Sequence, residues 1–250
     1  MRAIILAAGR GSRLQQTAEQ QLPKCLLSFG GRSLLERHLR LLEAAGVEEI
    51  TLVLGFRHEL IEAELARLGR PHVEIVLNRQ YELGSLLTVH TAAGPLTRGG
   101  DVLLMDADVL YHEGIMAALT ASRGPVNRVL IDRDFEAGDE PVKVCVRAGV
   151  PIELRKKLEP GLEYDMIGES VGFFRCDERA SRRLAAIVAD YVASSRAHLP
   201  HEEAVRDLLR ERSQTFEVCD VTGLPWIEID FPADVVRATE EVLPQLEVRS

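Results

Sequence analysis

The chain opens on the apolar run Ala3-Ile-Ile-Leu-Ala-Ala8 and passes straight into Gly9-Arg-Gly-Ser-Arg-Leu14. An uninterrupted apolar run followed by a glycine-rich turn reads as a strand buried on both faces, as in sheets covered by helices. Glycines at 9 and 11 let backbone N–H groups approach an anion closely, so the loop can hold a phosphate without side-chain chemistry. Two rival motifs fail. The dinucleotide fingerprint lacks its third glycine and the acid near the end of the second strand, where Gly55-Phe56 stand. A P-loop needs a G-x-x-x-x-G-K-[ST] spacing that does not occur here.

Outward from that strand, apolar runs and helical patterns alternate. Ser33-Leu-Leu-Glu36 is a capping box, and the helix it opens carries Leu34, Leu35, His38, Leu39 and Leu42 on one face before Gly46 ends it. Strands are expected at Ile50 to Leu54, Val73 to Leu77 and Val102 to Met105, with helices at His58 to Leu68, Ser85 to Ala93 and Glu113 to Ala121. After about residue 125 the rhythm changes. Strand-like pieces at Arg128 to Ile131, Val142 to Val146, Ile152 to Leu154 and Val171 to Arg175 follow one another, then helices at Glu178 to Ser194 and His201 to Arg212. Strands Phe216 to Val221 and Trp226 to Ile229 lead into a last helix near Pro232. The expectation is one α/β domain over 1–250, its mainly parallel sheet covered on both faces, with a small substrate-binding lobe. A nucleotide-binding half would span about 1–125 and an acceptor-binding half about 126–250.

The 250 residues are 46% hydrophobic and 28% charged, which excludes a disordered or collagen-like chain. No apolar run reaches the roughly 18 residues of a membrane helix, and no secretory signal is apparent, so a cytoplasmic protein without membrane insertion is expected. Cys25, Cys145, Cys176 and Cys219 lie far apart, which argues against a zinc or redox motif. The net charge of −9 makes nucleic acid an unfavourable partner. Residues 1–24, however, hold Arg2, Arg10, Arg13 and Lys24 against Glu19 alone, a local excess that suits a small polyanion.

Carboxylates mark two strand ends. Met105-Asp-Ala-Asp-Val109 closes one strand and Glu228-Ile-Asp230 ends the last, where α/β sheets bind ligands. Alternate residues share a face only while a strand continues, so Asp106 and Asp108 need not act together. Two such pairs suggest a Mg²⁺ site with few protein ligands, completed by substrate phosphates.

Taken whole, L-A-A-G-x-G-S-R-L-x(8)-P-K, ending at Pro23-Lys24, resembles the signature of the nucleotidyltransferases typified by nucleoside-diphosphate-sugar pyrophosphorylases. The resemblance implies a three-layer, Rossmann-like fold in which the loop wraps a triphosphate, Arg13 contacts its β and γ groups and Lys24 reaches the reacting phosphates. It implies further that Leu6, Ala7, Ala8, Gly9, Gly11 and Ser12, with Gly84 and Ser85 in the Glu82 to Leu86 segment, bind the nucleotide. Asp108 and Asp230 best take the metal positions, with Glu228 and Asp106 as further candidates, Asp106 being placed also at the nucleotide. Trp226-Ile-Glu-Ile-Asp-Phe-Pro-Ala-Asp234, Gly168-Glu-Ser-Val-Gly172 and Arg155-Lys-Lys157 are similar to a narrower branch. That branch contains phosphocholine, aminoethylphosphonate and inositol-1-phosphate cytidylyltransferases. An asparagine common there in the second base segment is replaced here by Gly84-Ser85.

The resemblance implies transfer of CMP from CTP to a small phosphorylated alcohol or phosphonate, with Mg²⁺ as cofactor and pyrophosphate as product. Lys143, Lys156 and Glu169 are the candidates for the acceptor, and a homodimer is compatible with this reading. An acceptor phosphate is largely dianionic at pH 7, its second pKa lying near ~6, and needs no general base. That agrees with histidines scattered at 38, 58, 72, 90, 112, 198 and 201, for which core packing or exposure is expected. Two alternatives remain: a sugar-1-phosphate nucleotidyltransferase, and a non-catalytic nucleotide-sensing domain.

Overall fold

A computed structural model describes residues 1–14, 21–47, 49–122, 127–211 and 213–247. In chain order the elements are β1 (Arg2–Ala7), a hairpin of β2 (Ser28–Phe29) and β3 (Arg32–Ser33), α1 (Leu34–Ala44), β4 (Glu49–Leu54), α2 (His58–Arg67) and β5 (Glu74–Leu77). Next come α3 (Ser85–Thr91), α4 (Ala93–Thr97), β6 (Val102–Asp106), β7 (Val109–Tyr111), α5 (Glu113–Thr120) and β8 (Arg128–Asp132). The remainder is β9 (Lys143–Arg147), β10 (Val150–Arg155), β11 (Met166–Cys176), α6 (Glu178–Ala193), α7 (Glu202–Arg210), β12 (Glu217–Asp220), β13 (Trp226–Glu228), α8 (Pro232–Arg237) and α9 (Leu243–Glu247). The expected division near 125 and the end of the Arg212 helix lie outside the described residues.

The first strand takes the central place its composition demands. β1 pairs in parallel with β4 on one side and β6 on the other, in the order β10-β9-β11-β6-β1-β4-β5. Its side chains alternate between two cores. Ala3 and Ile5 pack with α1, α2 and α5, whereas Ile4 packs with α3, α4, α6 and α7. Helices on both faces give three layers, and no residue of the run can be polar. β11 joins antiparallel to β6, β8 and β9, which adds the second half of the sheet and its β9–β10 hairpin. The chain leaves β1 toward β4 and β5, then crosses back to β6. The carboxyl ends of β1 and β6 therefore border a switch-point crevice.

Local chemistry sets the helix ends. Ser33 Oγ accepts from the Glu36 N–H at 3.1 Å, and Gly46 follows α1 at φ +74°. Asp177 caps α6 in the same way, accepting from the Ala180 N–H at 2.7 Å.

A buried ion pair fastens α7 to the hairpin: the Arg206 guanidinium donates to Glu153 of β10, with Nη2–Oε2 at 2.9 Å. Burial alone would raise the Glu153 carboxyl, but Arg206, the Leu154 N–H and Arg210 outweigh it and hold it below the usual range. Arg206→Ala is expected to cost about 3 kcal/mol, because Glu153 stays buried without its main partner. Glu153 stabilises the fold only while ionised. The wild-type advantage should be full above the unfolded Glu pKa of about 4.3 and fade as pH falls through the lower folded value. Urea unfolding of both proteins from pH 7 down to pH 3 measures the gap.

Candidate active site

Two cavities meet at the carboxyl ends of the strands. The first, of about 390 Å³, lies between the loop after β1 and the end of β6. Of the predicted nucleotide and metal positions, Leu6 to Gly9, Gly11, Ser12, Arg13, Lys24, Ser85, Asp106, Asp108, Glu228 and Asp230 all line it. Gly84 does not. An added Cβ there would stand 3.0 Å from the Ala197 carbonyl oxygen, so this glycine serves a close backbone approach at the start of α3.

Gly11 has a second use that the sequence did not reveal. It sits at φ +59°, and an added Cβ would lie 2.9 Å from Lys24 Cγ. The bare backbone lets the Lys24 stem cross the loop. Pro23 and the short 3₁₀ turn Lys24–Leu26 present this lysine, whose ammonium donates to Asp108 Oδ2 at 2.7 Å and Asp230 Oδ1 at 2.5 Å. Arg13 Nη1 lies 3.1 Å from Asp230 Oδ2 and 3.3 Å from Glu140 Oε2, with its guanidinium over Phe231. The basic excess of residues 1–24 is thus not an open patch: Arg2 and Arg10 pair with Glu49 and Glu82.

A small ladder brings the acids together. β7 and β13 pair antiparallel with Val109 opposite Glu228, and the Ile229 N–H donates to the Asp108 carbonyl at 2.9 Å. Glu228 and Asp230, two apart, face Asp108, and oxygens of the three carboxylates lie within 4.8 Å of one another. The following turn is held by Asp234 Oδ2, which accepts from the Asp230 and Phe231 N–H groups at 2.9 and 2.7 Å. Asp106 stands apart from this trio because β6 ends between it and Asp108.

Charge crowding marks the site. Desolvation and the neighbouring Asp108 and Asp230 push the Glu228 carboxyl well above its ordinary value. Burial would raise Asp230 too, but Lys24 and Arg13 outweigh it and keep it ionised. Burial would lower the Lys24 ammonium, and the two aspartates instead hold it well above its ordinary value. Three mutually repelling hard-oxygen donors fit a divalent cation such as Mg²⁺.

The second cavity, of about 580 Å³, shares Glu228 and Asp230 with the first and extends past Asp132, Glu140, Glu169 and Trp226. Glu169 is pushed up to about 7, first by burial and then by Asp132. Trp226 Nε1 donates to Asp132 Oδ2 at 2.8 Å. The two lysines expected here fare differently. Lys156 is not part of the lining, but its Nζ sits 3.2 Å from Glu140, which is. Lys143 does not line the cavity, because its ammonium donates to the carbonyls of Gly138, Pro141 and Lys156 and ties the loop to the hairpin.

The structure also adds residues that no local motif signalled. Tyr81, Thr88, His201 and Glu202 complete the wall of the first cavity. His38, by contrast, is core, packed between Tyr111 and Phe173, and burial drives it down to about 4.

Residues 3–171 match the model of the MobA-like NTP transferase domain. The chain belongs to that family. Among relatives of this NTP transferase domain is the bifunctional IPC transferase and DIPP synthase of Rubrobacter xylanophilus, 31% identical over 96% of this chain and 52% of that protein. The chain spans about half the length of the bifunctional relatives it matches. A CTP:phosphoglutamine cytidylyltransferase of Campylobacter jejuni is 23% identical over 94% of this chain and 98% of its own. The inositol-1-phosphate CTP transferase from T. maritima superposes with a TM-score of 0.77 at 21% identity, covering 98% of this chain and 94% of the other. That likeness establishes the three-layer nucleotidyltransferase fold. Among the described residues no helix is long and apolar enough to cross a membrane.

Proposed function

We propose that this NTP transferase domain is a Mg²⁺-dependent cytidylyltransferase that moves CMP from CTP to a small phosphorylated alcohol or phosphonate and releases pyrophosphate. One observation carries the reading: Lys24 is clamped between Asp108 and Asp230, with Arg13 on the outer oxygen of Asp230, where two cavities meet. The names of relatives that use CTP support the choice of nucleotide.

In this reading the first cavity takes the triphosphate and the second the acceptor. The Leu6–Gly9 backbone and Ser85 flank the base, while the loop to Arg13 follows the phosphates. An acceptor oxygen attacks the α-phosphorus, and the bond to the bridging oxygen of the β-phosphate breaks, its electron pair leaving with pyrophosphate. Lys24 and Arg13 hold the leaving group and neutralise its charge. Asp108, Glu228 and Asp230 hold the Mg²⁺, which supplies polarisation of phosphate oxygens. The acceptor dianion needs no base, so the residues chiefly align two anions. Lys156 and Glu169 border the acceptor's place.

Pyrophosphate release with Mg²⁺ tests this directly, crossing CTP, UTP, ATP, GTP and dTTP against phosphocholine, phosphoethanolamine, aminoethylphosphonate, hydroxyethylphosphonate, inositol-1-phosphate and glucose-1-phosphate. The expected result is turnover with CTP and a non-sugar acceptor. Turnover with glucose-1-phosphate alone would move the protein to the sugar-nucleotide branch.

A further inference from the structure

One wall of the first cavity is unexplained by phosphate chemistry. The starts of α3 and α7 converge there: Ser85 Oγ accepts from the His201 N–H at 2.9 Å and lies 3.3 Å from His201 Nδ1. His201 is only 4% exposed, yet among the described residues its Nε2 has no hydrogen-bond partner, and the residue lines the cavity. That nitrogen lies 3.8 Å from Asp106 Oδ1. Glu202 Oε2, 3.2 Å from His201 Nδ1, is likewise buried without a hydrogen-bond partner among the described residues. Among the described residues neither carboxylate is ion-paired with a lysine or arginine.

Asp106 is held at this wall by the strand beside it. Gly172 of β11, at φ +79°, would place an added Cβ 2.4 Å from Asp106 Oδ2, so the glycine leaves the carboxylate its space. Buried polar atoms are ordinarily satisfied, and a group that stays unsatisfied inside a cavity needs a ligand to complete it. A carboxylate oxygen accepts, so the partner that Glu202 Oε2 lacks is a donor. Lys24 and Arg13 make their ion pairs to Asp108, Asp230 and Glu140 instead.

We propose that Asp106, His201 and Glu202 form a subsite for an amino group of a substrate. An N–H-bearing group placed among them would complete Glu202 Oε2 beside Asp106, and the His201 ring completes the contact. In the first cavity the proposed reaction supplies that chemistry as the exocyclic amine of cytosine; an ammonium on the acceptor is the other source, and finding it here would move the acceptor out of the second cavity. The identity of the ligand rests on the proposed function; the unsatisfied wall does not.

Two measured ratios separate the sources. The first is the Kd of UTP over that of CTP, from calorimetry with Mg²⁺. The second is kcat/KM for aminoethylphosphonate over hydroxyethylphosphonate, which differ by amine against hydroxyl. Glu202→Gln and Asp106→Asn should each lower one of these ratios by roughly tenfold, the loss expected for a charge-assisted hydrogen bond. Loss in the first ratio assigns the base, and loss in the second assigns the acceptor. A misfolded variant weakens both members of a ratio alike and leaves it unmoved. If the well-folded variants, judged by their thermal transitions, keep both ratios at the wild-type value, the subsite is overturned. A wild-type protein that binds CTP with a preference over UTP but releases no pyrophosphate would sink the proposed function while leaving the subsite standing.

Discussion

Lys24→Met should lower kcat for pyrophosphate release by roughly 10³-fold and at the same time tighten Mg²⁺ binding. The two effects have opposite signs because Lys24 does two things. Its ammonium is the positive group placed to meet the leaving pyrophosphate, and removing one electrostatic contact of this kind costs about 10² to 10³ in rate. It also neutralises Asp108 and Asp230, which it touches at 2.7 and 2.5 Å. Methionine keeps most of the stem that crosses Gly11 but leaves three carboxylates without their internal cation. A divalent ion then meets less competition. Single-turnover kinetics and a Mg²⁺ titration by calorimetry read the two effects separately. Unchanged kcat would remove Lys24 from the reaction, and weakened Mg²⁺ binding would mean that the lysine organises the acids rather than competing for them.

Asp230→Asn should reverse the second sign: Mg²⁺ affinity falls at least about tenfold, and kcat/KM falls roughly 10³-fold at limiting Mg²⁺. Asp230 is the hinge of the site, touching Lys24 and Arg13 on separate oxygens. An amide keeps the shape and one acceptor but removes the charge. Raising Mg²⁺ should recover part of the rate, because the lost ligand is offset by concentration, whereas added metal cannot restore Lys24→Met. If Asp230→Asn shows the wild-type Mg²⁺ dependence, the ion is held elsewhere.

Much of the candidate site was legible because its first part is local. Among the described residues from β1 to Leu26 are a strand, a glycine turn and a proline-set 3₁₀ turn, each governed by short-range sterics. Apolar composition alone required β1 to be covered on both faces. The Ser33 cap, the Gly46 stop and the Pro232 helix start followed from the same local rules. The carboxylates were legible as candidates, since strand ends are where α/β sheets bind ligands.

The sequence was least informative where position depends on distant partners. Lys143 looked suited to an acceptor phosphate, but its ammonium is taken by three carbonyls supplied by the loop and the neighbouring hairpin strand. Gly84, expected at the base, has the 197–198 backbone packed against it, which no spacing along the chain foretold. His201 looked like one scattered histidine among seven, and only the packing of α7 beside α3 brings it to the cavity.

By itself, then, the sequence determined the alternation of strands and helices, the phosphate-type loop, and the residue types that would meet anions and a cation. Each depends on backbone sterics, burial or side-chain chemistry within a few residues. Only the tertiary structure decided which acids act together. The β7–β13 register sets Glu228 and Asp230 against Asp108, while the end of β6 turns Asp106 toward His201 and Glu202. Pairing register between distant strands is a balance of many small contacts across the core, and no spacing along the chain records it.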